Sequence, residues 1–194
     1  LCQFDLSGQG SEVTPAEVAF TDTHGTVLKL GSLTDVTVSG YVLDYSGMTC
    51  GVELESCVRV TVDGVPITGA TSYGVQLSGS GGGVTLQGVE VMGGTSAYGV
   101  NAGGTQAGVV LDGMSISGTK YGVYLSGMLS DVVIEDSEIT GTTSGGIEKG
   151  SSSVLAGLEI VGVTVAPASG SGIYLCDSST GGYVVADVVL DDVD

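Results

Sequence analysis

Residues 74–93 read GVQLSGSGGGVTLQGVEVMG, residues 99–118 read GVNAGGTQAGVVLDGMSISG, and residues 122–141 read GVYLSGMLSDVVIEDSEITG. Laid over one another, the three stretches share one frame. Working outward, the opening Gly-Val or Gly-Ile pair recurs at Gly51, Gly74, Gly99, Gly122, Gly146 and Gly172, at intervals of 23, 25, 23, 24 and 26 residues. A period in this range, carried by glycine and β-branched residues, marks a solenoid whose coils stack on one another. A further unit from Val27 fits the same frame, with Leu28 and Leu30 beneath Val52 and Leu54, which brings the expected number of coils to seven.

Each unit carries three short runs of alternation, such as Val123/Leu125, Val132/Ile134 and Ser137/Ile139. A period of two means strand, with alternate side chains on opposite faces. Three strands per coil predict an all-β, triangular parallel β-helix with a ladder of Val52, Val75, Val100, Val123, Ile147 and Ile173 inside. The corner between the second and third strands is expected at Gly40, Gly64, Gly88, Gly113, Asp136, Gly162 and Asp187, residue types that accept the positive φ of a sharp bend. Residues 1–26 break the repeat and are expected to form an N-terminal cap segment, with 27–194 as the parallel β-helix. Within the cap, Thr14-Pro15-Ala16-Glu17 has the pattern of a helix start, and His24 reads as a turn residue.

This pattern resembles the right-handed parallel β-helix superfamily, the pectate-lyase-like fold with its short G-I-x-L and V-x-I repeats. The resemblance covers Val27 to the C-terminus, and it implies right-handed coiling, as does the strong bias of parallel crossovers. The asparagine stack that members often carry at the corner is missing, and the single Asn101 lies elsewhere. The resemblance also implies that an active site would lie on the first-strand face, whose outward residues here are Glu53, Gln76, Asn101, Tyr124, Glu148 and Tyr174. Paired aspartates and the N-T-D, D-D, G-H-G and R-I-K motifs are absent from it. Arg59 is expected at a turn before the second strand. With one histidine and one arginine, acid–base chemistry has little to draw on, and the chain reads more readily as a non-enzyme.

Composition narrows the partners. Four basic residues against 22 acidic ones give a net charge of −18, which argues against nucleic acid and anionic membranes. No apolar run reaches the length of a membrane span. A chain that opens on Leu1 reads as a processed or excised piece, and a secreted, cell-surface location is expected. Cys2, Cys50, Cys57 and Cys176 are the disulfide candidates. Cys50 and Cys57 sit at opposite ends of one strand and are not expected to join each other. Cys2 is free to reach either, and Cys176 is left as a free thiol or an intermolecular partner. No cofactor is implied, although carboxylates at Asp63, Asp112, Glu135 and in the Asp187, Asp191, Asp192, Asp194 cluster are of the type that holds calcium.

Three further features bear on function. Tyr73, Tyr98 and Tyr121 precede the repeat glycine in consecutive coils and are expected to stack at a corner, with Tyr124 on the adjacent face. Lys149 falls at an inward position, so a local bulge that swings it outward is expected. The last unit stops with its third strand, which leaves an apolar end suited to docking on another subunit. The leading expectation is a structural or adhesive extracellular module, assembling head to tail into a surface filament or forming part of a longer surface protein. The alternative is a carbohydrate-binding or carbohydrate-cleaving β-helix that uses Tyr121, Tyr124, Glu148 and Tyr174.

Overall fold

The computed structural model describes residues 11–13, 26–39, 47–94, 97–175 and 185–194. Among them the chain is all-β. The first face is one seven-stranded sheet of Thr26–Gly31, Cys50–Glu55, Tyr73–Ser78, Tyr98–Ala102, Tyr121–Leu125, Gly145–Lys149 and Ser171–Tyr174. Seven such strands bound six complete turns of a parallel solenoid. The second face starts with Ser11–Val13 and Thr34–Ser39 and ends with Met128–Glu135, the first part of Val154–Ala166, and Val185–Val193. The third is built from short strands such as Glu90–Met92, Ser115–Ser117 and Glu138–Thr140.

Every coil-to-coil pairing keeps equivalent residues in register. Val75, Val100, Val123 and Ile147 lie directly over one another, and all four are buried with Leu77, Leu111, Ile116 and Ile134 in one continuous core. The repeat glycine makes this closure possible. A Cβ at Gly99 would stand 2.5 Å from both the Gly122 carbonyl oxygen and Ile116 Cγ2. Glycine is therefore required at this corner by close approach, since the third face leans its inward aliphatic onto bare backbone.

Glycine at the other bends answers a different demand. Gly64, Gly88, Gly113, Asp136 and Gly162 all adopt positive φ at the corner between second and third faces. In the last coil this corner falls at Asp192 (φ 48) rather than Asp187, because Val161 pairs with Asp191 and Val163 with Val193. Asp187 (φ 54) belongs to an earlier bend inside the second-face strand, in line with Asp35, Arg59, Gly83, Gly108, Asp131 and Gly157. Arg59 thus lies within the strand Val58–Asp63 rather than at a turn before it. Its guanidinium forks onto Asp35, with Nη2 2.7 Å from Oδ2.

Ser11–Val13, inside the segment expected as a cap, is a parallel strand paired with Val36–Val38. The expected helix start at Thr14–Glu17, and with it His24 and Gly40, lies outside the described residues.

Candidate functional site

Parallel register turns a sequence offset into a column, and the tyrosines before Gly74, Gly99 and Gly122 become an aromatic one. Tyr73 pairs with Tyr98, and Tyr98 with Tyr121. The ring centroids are 5.5 and 5.2 Å apart, with interplanar angles of 23° and 22°. Stacked rings of this kind stabilise a sheet by about 0.5–1.5 kcal/mol per pair beyond their area. The column stops below at Cys50, which pairs with Tyr73, and above at Gly145, which pairs with Tyr121. Tyr124 closes the cluster from the neighbouring position, tilted by 55° to Tyr98 and 37° to Tyr121 at 5.1 and 5.2 Å.

The upper end of the ladder gathers two charges. Lys120 Nζ lies 5.2 Å from the Tyr121 ring centroid, a cation–π distance. The Glu148 carboxylate occupies the space Gly145 leaves: a Cβ there would meet Glu148 Oε2 at 3.1 Å and Tyr121 Cδ1 at 3.4 Å. Burial pushes the Glu148 carboxyl above its usual range, and the Lys120 charge opposes this. The Tyr124 phenol is also pushed up, first by burial and then by its neighbours Tyr98, Glu148 and Tyr121. Gly150 makes room for that hydroxyl, since a Cβ there would stand 3.2 Å from Tyr124 Oη. Tyr174 follows Glu148 in register at the edge of the sheet and is 41% exposed.

Of the four expected ligand-binding residues, Tyr121, Tyr124 and Glu148 meet in this patch, while Tyr174 stands beyond Glu148. Lys120 is the member that sequence reasoning missed; its place immediately before Tyr121 was the available signal. The patch offers aromatic rings, phenol hydroxyls, one carboxyl acceptor and one ammonium donor. On the first face, Glu148 has Tyr124 and Tyr174 as its register neighbours.

The remaining candidates lie elsewhere. Lys149 is a correction: it points inward, paired with Leu125 and only 2% exposed, with no outward bulge. Its ammonium donates to the Gly150 carbonyl at 3.3 Å, which also accepts from Ser153 N–H at 3.1 Å. Asn101 is nearly buried and accepts from Ser126 Oγ at 2.7 Å. Cys50 and Cys57 are both buried thiols that do not join each other. Burial pushes the Cys50 thiol up to about 12, which leaves it inert at neutral pH. Cys2 and Cys176 lie outside the described residues. No three acidic, histidine or cysteine side chains converge as a cation site among the described residues. Nor, among those residues, is any helix long and apolar enough to cross a membrane.

The profile of the right-handed β-helix region matches residues 22–189, so the chain belongs to the right-handed parallel β-helix family. It is similar in fold to a periplasmic alginate epimerase, AlgG, with a TM-score of 0.69 and 11% identity over 88% of this chain and 42% of that one. The catalytic unit of a GH87 α-1,3-glucanase from Streptomyces thermodiastaticus strain HF3-3 overlays at a TM-score of 0.40 and 13% identity, over 87% of this chain and 50% of that one. The chain thus spans half or less of the length of these solved structures. No curated protein matches it in sequence.

Proposed function

We propose that this chain is a non-catalytic, adhesive β-helix module working outside the cytoplasm, and that it grips a carbohydrate through the Tyr98, Tyr121, Tyr124, Glu148 and Lys120 patch. One observation carries the reading: an aromatic ladder ends, at Gly145, beside the Glu148 carboxyl and with the Lys120 ammonium over its last ring, Tyr121. Sugar rings need an apolar face to lie against and a few convergent donors and acceptors to orient them. Relatives of the fold include an alginate epimerase, but the reading rests on this chain's own side chains. Glycan-array binding of the wild type against Tyr124→Ala and Glu148→Gln tests it. Loss of about tenfold or more in affinity, equivalent to about 1.4 kcal/mol, is expected for both variants. A wild type that binds no glycan overturns it.

A second reading, end-to-end self-assembly or seating against the rest of a longer surface protein, is favoured by the last coil. Val189 and Leu190 are 52% and 54% exposed there along an edge strand. An open edge of this kind invites pairing. Light scattering over a range of concentrations, with Leu190→Asp as control, tests self-assembly; a wild type that stays monomeric throughout removes it.

A further inference from the structure

We infer that the glycan held at this patch is uncharged, and that polyuronates and other polyanionic glycans are rejected. This rests on reading the patch as a glycan site and names the class of glycan it takes. The argument is an accounting of positive charge. The chain has four Lys and Arg residues against 22 Asp and Glu, and all four basic residues are described. Lys29 is held between Glu53 at 3.1 Å and Glu55 at 2.8 Å. Arg59 is forked onto Asp35 on the second face. Lys149 is inside the solenoid on the Gly150 carbonyl. Lys120 is left, and its ammonium sits over Tyr121 in the field of Glu148.

A polyanion is held by a row of cations that replace its counterions along its length. Above Lys29, the outward row of the first face runs Glu53, Gln76, Asn101, Tyr124, Glu148 and Tyr174. It offers hydroxyls, the Gln76 amide and carboxylates, with Lys29 already neutralised at its start. A net charge of −18 adds a repulsive field along the approach of any acidic polymer. An uncharged pyranose meets no such barrier. Its hydroxyls can donate to Glu148 and accept from Lys120 while its ring lies against the tyrosines.

Affinity gel electrophoresis of the intact chain tests this with four gels: a neutral β-glucan, N-acetylated chitin oligomers, alginate and chitosan. At least one neutral glycan is expected to retard the chain, and alginate is not. Raising salt from about 50 to about 200 mM should change neutral retardation by less than about twofold, whereas binding through many ion pairs would fall by orders of magnitude. Retardation by alginate that salt weakens and Lys120→Met abolishes would overturn the inference while leaving a glycan site intact. So would retardation by chitosan, weakened by salt, exceeding that by both neutral glycans. Retardation by none of the four would remove the glycan reading of the patch, and this inference with it.

Discussion

Ile160 and Leu190 occupy the same inward offset in adjacent coils and pair directly. Ile160 is fully buried and Leu190 is 54% exposed. The central coils between Gly74 and Gly141 and the last coil between Ser171 and Val193 are written in the same alternation, so pattern does not explain the difference. What differs is the packing: Ile160 carries the strand of Leu190 over it as well as that of Ile134 beneath it. In a solenoid an inward residue is buried by its own coil on three sides and by its neighbours above and below, so the hydrophobic gain belongs to the stack.

The largest test of this comparison is steric. Gly122→Val puts side-chain atoms against Ile139 and the Gly146 carbonyl oxygen, which a Cβ alone would approach to 2.6 Å. Backbone cannot yield there, so a loss of about 3 kcal/mol or more, or failure to fold, is expected in chemical denaturation. Gly172→Ala, whose nearest neighbour is Val165 Cγ1 at 3.8 Å, should be far milder. Equal effects at the two sites would break the distinction between interior and terminal coils.

Next in size is a truncation pair. Leu111→Ala, fully buried, should cost about 2–5 kcal/mol, and Leu190→Ala less than about 1 kcal/mol, since little of that side chain leaves water. A costly Leu190→Ala in a monomeric sample would mean that something else covers the end. Lys149 sharpens the picture of the interior. Lys149→Met keeps the stem and removes an ammonium whose acceptor is one carbonyl, so stability is expected to stay level or rise by about 1–3 kcal/mol. A clear loss on thermal melting would show that the Gly150 turn depends on that hydrogen bond.

The smallest effect concerns pH. Burial raises the Glu148 carboxyl above its ordinary value, so the folded chain holds that proton more tightly than the unfolded chain does. The resulting cost is absent below the ordinary glutamate range and grows as pH rises through it to the raised value. Glu148→Gln should therefore gain slightly in melting temperature over wild type above that window and show no gain below it. A gain confined to acid would reverse the assignment.

Much of this architecture was legible in the residues, because a parallel stack repeats each physical requirement once per turn. Gly99 and Gly122 announce the tight corner, and Val100 and Val123 the lumen. The last coil was misread because two bends in one strand both accept aspartate, and Asp187 and Asp192 are five residues apart. Lys149 was misjudged since its acceptor, the Gly150 carbonyl, lies in the turn that follows it, which alternation does not describe. Lys120 escaped notice for a similar reason. It sits outside the alternating runs, and only the fold brings it to Glu148.

The vertical alignment of the repeat glycines has one more implication, for length. Excising residues 99–121 would join Tyr98 to Gly122 and set Val123 directly on Val75, with each ladder healed and the rod one storey shorter. A body built this way has no privileged size. Duplication or loss of a 23-residue cassette changes how far the molecule reaches without asking any other storey to be redesigned.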